Sequence, residues 1–495
     1  MEPRSTTARH NLLKPILLLL LFFFFCLWFF FFNFSAMVTP QEPDLSQHHP
    51  VTRVEFPAQP FPKQALPTKS GYLPVNFSSG SAIFYAFYEA HNPISSLSQT
   101  PLLIWLQGGP GCSSMYGNFL EFGPWRVSSA HPKSKSSYVL ESNPAAWNRI
   151  FGVLFLDNPI GSGYSIAARN EDIPRDVNSV AKHLYMAILQ FLELDPTLFK
   201  SRPVYIAGES YAGKYVPAIG YHIMKKNAYL PKTRRINFGG VAIGNGLIDP
   251  VVQVGTHASH AYFTGLINEQ QKEEIERLQS RAIELAKKKR WRESTDARYR
   301  VVDYLQSTTG LATLYDFTKI GPYNIGIVTD FLQSDGVKAA LKVKESAVTF
   351  INGCNDDVKE ALHDDTMKSV KYMVEFLVRK SKVLLYQGQY DLWDGVVSTE
   401  AWVRSMDWEE IGKFLLAERI VWKDENGGLA GYVQKWKSLS NVVVFGAGHL
   451  VPTDQPLNSR RMIEDWVLDR GFFADVNDLD SNFILDPAVS SKFDA

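Results

Sequence analysis

Short apolar runs recur along the chain and alternate with segments of helical periodicity. The clearest runs span 82–90, 101–107, 152–159, 203–208, 239–245, 382–391 and 441–449. Several are continuous rather than alternating, which is typical of strands buried on both faces of a sheet. Helical spacing is found at 175–195, 211–226 and 396–406. Strands that alternate with helices predict an α/β fold with a mostly parallel central sheet.

Residues 250–380 interrupt this alternation. The segment 268–294 is strongly charged and carries Ile, Leu and Ala at helical spacing, which predicts an amphipathic helix standing off the sheet. We therefore expect 68–249 and 381–475 to form the core, and 250–380 to form a helical insertion, or cap. The basic run 287–292 is more typical of a solvated helix end than of a nucleic-acid patch.

The N-terminus has the layout of a secretory signal. Three basic residues, Arg4, Arg9 and Lys14, precede the apolar run 15–32. The run approaches transmembrane length, so an uncleaved anchor is the alternative. We expect a signal at 1–36, a Pro-rich extended segment at 37–67 and a C-terminal tail at 476–495. After cleavage the mature protein would have no membrane segment and would be secreted or held in an acidic, vacuole- or lysosome-like compartment.

The amino-acid composition is consistent with a large folded domain. Formal net charge is zero, so nothing favours a nucleic-acid partner, and 45% hydrophobic residues suffice for a large core. The chain has three cysteines, Cys26, Cys112 and Cys354. Removal of the signal leaves Cys112 and Cys354, which form either one disulfide or two buried free thiols. Asn76 begins an acceptor sequence for glycosylation.

Candidate chemistry centres on Ser210, in Gly208-Glu209-Ser210-Tyr211-Ala212-Gly213. The serine lies between an apolar strand and a helix start, which is the setting of a nucleophile elbow. Small residues are needed on both sides of such a turn. The match is weak by itself, because a serine flanked by glycines is more often an ordinary turn.

Two later strands end in suitable partners for the serine. In α/β hydrolases the acid and then the histidine follow the nucleophile along the chain. Asp391 ends one apolar run and His449 ends the next, at the edge where open α/β sheets bind ligands. Asp394 is a rival for the acid, although it lies further past the strand.

A glycine-rich loop follows another buried strand, in "LQGGPGCSSMYGNFLEFGPW" at 106–125. A glycine pair there allows a backbone N–H to approach a developing oxyanion, and the N–H after the nucleophile is the second donor. These donors would be Gly109 and Tyr211. The alternative is a Gly/Pro-rich loop without chemistry.

Together, "GGPGCSS", "GESYAGKYVP", "GQYD" and "GAGHLVP" resemble the serine carboxypeptidase family of α/β-hydrolase peptidases over about residues 70–470. The resemblance is greatest to the branch that includes plant members and the retinoid-inducible type. It implies that Ser210 is the nucleophile, His449 the base and Asp391 the orienting acid of an acyl-enzyme mechanism.

The resemblance also implies a site for the free C-terminal carboxylate of the substrate. The matching residues are Gln107, Gly108, Glu121 and Glu209. Two close carboxyl groups cannot both ionise, so a shared proton would let the pair donate a hydrogen bond to that carboxylate. We therefore expect peptide hydrolysis to be optimal in acid. Many members have asparagine at the position of Gln107, and glutamine offers the same amide donor on a side chain one methylene longer.

Further positions are implied by the same resemblance. Tyr116, Leu120 and Leu450 would line an apolar pocket for the leaving residue, and Cys112 and Cys354 match cysteines that form a disulfide in relatives. Peptide and protein C-termini would be the substrates. No cofactor fingerprint or metal-ligand spacing is evident, and a homodimer is left open.

Two other functions remain open from sequence. Plant members of the serine carboxypeptidase-like group include acyltransferases that use sugar esters and keep the triad. They commonly carry Asp where this chain has Glu209, so the glutamate favours hydrolysis. The second alternative is a non-catalytic binding or protective protein on the same scaffold.

Overall fold

The computed structural model describes residues 51–130, 137–347 and 353–474. The predicted signal and the predicted C-terminal tail lie outside these residues. Within them, no helix is both long and apolar enough to cross a membrane.

Strands of the described part are, in chain order, β1 (Arg53–Phe56), β2 (Lys69–Asn76), β3 (Ser81–Tyr88), β4 (Leu102–Leu106), β5 (Trp125–Ser129), β6 (Tyr138–Ser142), β7 (Gly152–Leu156), β8 (Val204–Glu209), β9 (Phe238–Gly244), β10 (Lys382–Gly388), β11 (Arg419–Lys423), β12 (Leu429–Trp436) and β13 (Leu439–Val444). The α-helices are α1 (Val177–Glu193), α2 (Pro196–Phe199), α3 (Ala212–Tyr229), α4 (Pro250–Gln253), α5 (His257–Phe263), α6 (Glu269–Lys287), α7 (Trp291–Thr309), α8 (Ile325–Gln333), α9 (Asp335–Leu341), α10 (Asp356–Leu362), α11 (Lys371–Val378), α12 (Val396–Val403), α13 (Ile411–Leu416), α14 (Val451–Asp454) and α15 (Pro456–Val467).

The main sheet has the order β11-β12-β13-β10-β9-β8-β4-β7-β3-β2. From β13 to β7 the neighbouring strands are parallel, and the strands at both edges are antiparallel. The predicted α/β fold with a mostly parallel sheet is confirmed. Since parallel strands share a direction, the turns after β4, β8, β10 and β13 meet at one edge of the sheet.

The continuous apolar strands contribute side chains to two cores, because successive side chains point to opposite faces of the sheet. In β4, Leu102, Ile104 and Leu106 pack into one core with helices α1, α3 and α11. Leu103 and Trp105 pack into the other core, with α8 and α15. Because both faces of these strands are buried in apolar cores, polar functional side chains lie at the strand ends.

A smaller antiparallel sheet has the order β1-β6-β5. Strand β1 lies within the segment predicted to be extended. Strands β5 and β6 were missed by the sequence pattern, because both are only partly apolar and partly buried. Val127, Tyr138 and Leu140 from this sheet are buried in the same core as α8.

The insertion is helical, but the single helix predicted over 268–294 is wrong. Helix α6 ends at Lys287, the chain reverses through Lys289 with φ 58°, and α7 begins at Trp291. The apolar faces of the two helices pack against each other in a separate core, which includes Ile275, Ala282, Leu285, Val301 and Leu305. The amphipathic spacing continues across the turn between α6 and α7, so the sequence pattern did not reveal the helical hairpin.

Candidate active site

Ser210 lies in the sharp turn between β8 and α3. Its φ of 61° is in the left-handed region, which a serine adopts only when its surroundings impose it. Its N–H donates to the carbonyl of Gly244 at 3.0 Å, and its carbonyl accepts the N–H groups of Gly213 and Leu247, each at 2.9 Å. These bonds hold the turn against its strain.

Small residues on both sides of Ser210 are a steric requirement. A β-carbon on Gly208 would lie 2.4 Å from the carbonyl oxygen of Leu106, and one on Gly213 would lie 2.5 Å from the nitrogen of Leu247. The strand and the helix therefore approach more closely than larger residues would permit. Ala212, where the general pattern has glycine, is fully buried.

His449 and Asp391 meet at the ends of β13 and β10. The Nδ1 of His449 lies 2.7 Å from Oδ2 of Asp391, which also accepts from Nδ2 of Asn245 at 2.7 Å. The N–H of Trp393 donates to Oδ1 at 2.7 Å. Burial lowers the pKa of His449, but the charge and hydrogen bond of Asp391, together with the charges of Asp394 and Glu121, outweigh burial, and the pKa is raised. The buried Nε2 has no hydrogen-bond partner among the described residues.

Asp394, the rival candidate for the acid, makes no hydrogen bond to His449 in the described structure. Its carboxylate accepts from Nε2 of Gln253 at 3.1 Å and lies 3.5 Å from Nη2 of Arg298. Its N–H donates to Oδ2 of Asp391 at 3.2 Å. Burial raises the pKa of Asp394 to about 7, although Arg298 opposes the increase. The hydrogen bond of His449 is thus made to Asp391.

Tyr315, from the insertion, covers the histidine and was missed by sequence reasoning. Its ring stacks on that of His449, with centroids 4.3 Å apart and planes inclined by 13°. The N–H of His449 donates to the carbonyl of Tyr315 at 2.7 Å. No local pattern marks this tyrosine, because the contact joins segments that are distant along the chain.

The glycine-rich loop presses against the Ser210 turn. A β-carbon on Gly108 would lie 2.6 Å from the nitrogen of Tyr211 and 2.8 Å from Cβ of Ser210. Gly109 has φ +111°, and a β-carbon there would lie 2.6 Å from Sγ of Cys112. Both glycines are therefore required by close approach. The backbone of Gly108 and the N–H of Tyr211 therefore lie beside Ser210, and the oxyanion hole stays a prediction.

Asp157 anchors this loop and was also missed. Its Oδ1 accepts from Oγ of Ser113 at 2.6 Å and from the N–H of Ser114 at 2.8 Å. Its Oδ2 accepts the N–H of Tyr164 at 2.8 Å. Burial raises the pKa of Asp157 to about 6, and these bonds oppose the increase. A carboxylate directly after a buried strand was the available signal.

Glu209 and Glu121 form a buried carboxyl pair beside the serine. Glu209 ends β8, and Glu121 ends the helical turn Gly117–Glu121. The amide of Gln107 donates to Oε1 of Glu209 at 2.7 Å and accepts from Nε1 of Trp105 at 2.8 Å. Burial raises the pKa of both carboxyl groups, and the charge of Glu121 raises that of Glu209 further. The pair therefore retains a proton to higher pH than an exposed carboxyl group does.

The three predicted pocket residues lie close to this region in different settings. Tyr116 is buried, and its hydroxyl lies 2.6 Å from Oγ1 of Thr329 in α8. Leu120 is partly buried against the core of that helix, and Leu450, next to His449, is 5% exposed. Their role in a specificity pocket stays a prediction.

A disulfide joins Cys112 to Cys354, so the alternative of two free thiols is excluded. Next to it, the N–H of Asn355 donates to the carbonyl of Gly111 at 3.0 Å. The Oδ1 of Asn76 accepts from Oγ of Ser78 at 2.9 Å in the turn after β2, and its glycosylation stays a prediction. Within the described ranges no three His, Cys, Asp or Glu side chains are grouped to hold a metal ion.

Most of the chain is similar in sequence to proteins of one known family. The sequence model of the family described as serine carboxypeptidase matches residues 57–469. Serine carboxypeptidase-like 50 of Arabidopsis thaliana is 54% identical over 85% of this chain and 92% of its own length. A probable serine carboxypeptidase of Homo sapiens, CPVL, is 33% identical over 83% of this chain and 86% of its own.

Among solved structures, one match is Kex1(delta)p, a prohormone-processing carboxypeptidase from Saccharomyces cerevisiae. It has a TM-score of 0.73 and 24% identity, and the match covers 83% of this chain and 93% of that chain. At this identity the match establishes the α/β-hydrolase fold, in agreement with the predicted fold class.

Proposed function

The chain belongs to the serine carboxypeptidase family, and on this basis we propose that it is a serine-type carboxypeptidase that uses Ser210, His449 and Asp391. It hydrolyses the last peptide bond of peptide and protein substrates. The observation that carries the proposal is a hydrogen-bonded His449–Asp391 pair at the same sheet edge as the Ser210 turn, directly next to the buried glutamate pair.

The proposed reaction proceeds through an acyl-enzyme. The Oγ of Ser210 attacks the carbonyl carbon of the last peptide bond, while Nε2 of His449 takes the hydroxyl proton. The N–H groups of Gly109 and Tyr211 stabilise the oxyanion. The C–N bond then breaks, the leaving amine takes the proton from His449, and an ester remains on Ser210.

Water completes the cycle by the reverse sequence of transfers. His449 takes a proton from water as its oxygen attacks the ester carbonyl, and returns that proton to Oγ of Ser210 as the C–O bond breaks. The carboxylate of Asp391 holds Nδ1–H and stabilises the imidazolium in both halves. The products are a free amino acid and a shortened peptide.

In the proposed complex the C-terminal carboxylate of the substrate is bound by four residues, Glu209, Glu121, Gln107 and Gly108. When the pair shares one proton, that proton is available to donate a hydrogen bond to the substrate. As pH rises through the raised pKa values, the pair becomes doubly ionised and repels the substrate carboxylate. KM for peptides should therefore be lowest in acid and rise with pH.

We also propose where the protein acts and which leaving residue it prefers. The apolar N-terminal run and the disulfide support passage through the secretory pathway, where Asn76 would be available for glycosylation. An acidic final compartment would suit the pH dependence of the carboxyl pair. Tyr116, Leu120 and Leu450 would favour an apolar leaving residue.

The decisive test compares an N-blocked dipeptide with its C-terminal amide at about pH 5. We expect fast hydrolysis of the free acid and slow hydrolysis of the amide. Ser210→Ala should lower kcat by on the order of a million-fold. Ser307→Ala, on helix α7, is the control and should keep full activity. Equal rates on both substrates would refute recognition of the carboxylate, and an active Ser210→Ala variant would refute the nucleophile.

A further inference from the structure

Asp454 occupies a junction behind the catalytic histidine that the proposed reaction does not explain. It ends the short helix α14, directly after the His449 loop, and its side chain is 4% exposed. Its Oδ2 accepts the N–H of Gly448 at 2.8 Å and the hydroxyl of Tyr323 at 2.5 Å. Its Oδ1 lies 3.0 Å from Nζ of Lys319. One carboxylate thus binds the histidine loop and two residues of the insertion.

The insertion and the histidine loop are in direct contact at this point. A β-carbon on Gly448 would lie 2.3 Å from the carbonyl oxygen of Tyr315 and 2.9 Å from the hydroxyl of Tyr323. Together with the stacking of Tyr315 on His449, these contacts leave no space between them. A change in the position of the insertion would therefore move the imidazole.

Arg126 connects the same junction to the carboxyl pair. Its Nη2 donates to the carbonyl of Glu121 at 2.5 Å and to the carbonyl of Pro452 at 2.9 Å. Pro452 belongs to the same helix α14 as Asp454. Negative charge on Asp454 interacts with Arg126 and with Glu209. Arg126 and helix α14 thus support both the loop of His449 and the proposed carboxylate-binding site.

We propose that Asp454 is a positioning residue that fastens the His449 loop to the insertion, and that its charge acts on the Glu121–Glu209 pair across the shared Arg126 support. The second role rests on the proposed recognition of the substrate carboxylate by that pair. Asp454 would then influence both the position of His449 and the affinity of the site for a substrate with a free C-terminal carboxylate. Lys319 and Tyr323 would be the residues of the insertion that hold the carboxylate of Asp454.

The charges around the junction fix the sign of the expected effect. Burial and the charge of Glu121 are the main causes of the raised pKa of Glu209, and the charge of Asp454 adds to them, so loss of that charge should lower the pKa. Lys319 partly offsets Asp454, so its loss should act in the opposite direction. The other titratable groups that face the carboxyl pair are Arg126, His449, Tyr315 and Tyr386. Those around Asp454 are Lys319, Tyr323, Arg126 and Asp316, whose carboxylate also lies 3.8 Å from Nζ of Lys319. All of them stay unchanged when Asp454 becomes asparagine.

The test measures kcat and KM for the N-blocked dipeptide and its amide from about pH 5 to about pH 9. In Asp454→Asn we expect the midpoint of the KM rise for the free acid to fall by roughly 0.5 pH unit. In Lys319→Met it should move upward, by less because the lysine is partly exposed. The amide lacks the carboxylate, so its KM should not follow this pattern.

The positioning role has its own readout. Asp454→Asn should lower kcat about tenfold on both substrates, because a slightly displaced base slows proton transfer. Tyr323→Phe should lower kcat by a smaller factor and leave the KM midpoint in place. Asp335→Asn, an exposed carboxylate of the insertion, is the matched control and should change neither. Thermal unfolding of each variant identifies any that fails to fold, and Lys319→Met and Tyr323→Phe keep the test informative.

Each outcome is distinguishable from failure of the proposed function. A wild-type KM that rises with pH, combined with an unshifted Asp454→Asn midpoint, overturns the charge role of Asp454. An unchanged kcat in that variant overturns its positioning role. A wild-type KM that stays flat overturns the shared proton itself, and the charge role with it.

Discussion

At the scale of single residues, the site depends on groups held in costly environments. Ser210 has a left-handed backbone, and Asp391 is fully buried yet has a hydrogen-bond donor at each oxygen. A buried carboxylate is expensive unless it is satisfied in this way. The rival acid Asp394 shows that burial alone does not make an orienting carboxylate, because its donors come from Arg298 and Gln253.

The two aspartates should therefore differ in their effect on catalysis. Asp391→Asn leaves the wrong imidazole tautomer and should lower kcat about 10⁴-fold, with little change in KM. Asp394→Asn keeps a side-chain oxygen and its N–H bond to Asp391, and should lower kcat by less than about tenfold. Steady-state kinetics at the pH optimum measures both. Equal losses in the two variants would contradict this division of roles.

At the scale of elements, chemistry is confined to the junctions where strands end. Helix α3 approaches the turn after β9 so closely that Gly213 has no room for a side chain. The N–H groups of Gly213 and Leu247 both bind the carbonyl of Ser210. The contact between helix and turn thus fixes the backbone of Ser210, the proposed nucleophile.

Gly213→Ala should disturb stability and activity together. The new methyl group would meet the backbone of Gly246 and Leu247 and force the helix away, at a cost of about 1–3 kcal/mol. We expect a lower Tm and a lower kcat. Gly412→Ala in helix α13 is the control, because nothing lies within 4 Å of its β-carbon and alanine favours a helix. A Gly213→Ala enzyme with wild-type Tm and kcat would argue against this account.

At the scale of the whole molecule, the insertion completes the site instead of only covering it. It contributes the ring stacked on His449 and the partners of Asp454 and Asp394. The disulfide adds a covalent connection, because Cys112 follows the glycine pair and Cys354 lies near the end of the insertion, at a sequence separation of 242. Without the insertion, His449 would lose the stacked ring of Tyr315, and Asp454 and Asp394 would lose their charged partners.

Removal of the disulfide should show this dependence. The double variant Cys112→Ser/Cys354→Ser should lose about 2–5 kcal/mol of unfolding free energy, measured by urea denaturation. Its kcat should also fall, because the oxyanion loop is less constrained. A reducing agent should weaken the wild type in the same direction and leave the double variant unaffected. Equal urea midpoints for the two proteins would contradict this role.

The sequence by itself determined the features that depend on local pattern and chain order. Runs buried on both faces predicted the parallel sheet, because a strand between two helical layers has no polar face. The order of Ser210, Asp391 and His449, each at the end of an apolar run, predicted which residues would meet at one edge. The spacing of glycines predicted the loop beside the nucleophile, because only small residues permit that approach.

Only the tertiary structure decided which distant residues touch. It gave the hydrogen bond of His449 to Asp391, replaced one long helix with the hairpin of α6 and α7, and brought Tyr315 onto His449. It also formed the junction at Asp454 and the anchor at Asp157. Periodicity records which face of an element is buried but not what is packed against it. Contacts between distant segments follow from the packing of the whole chain.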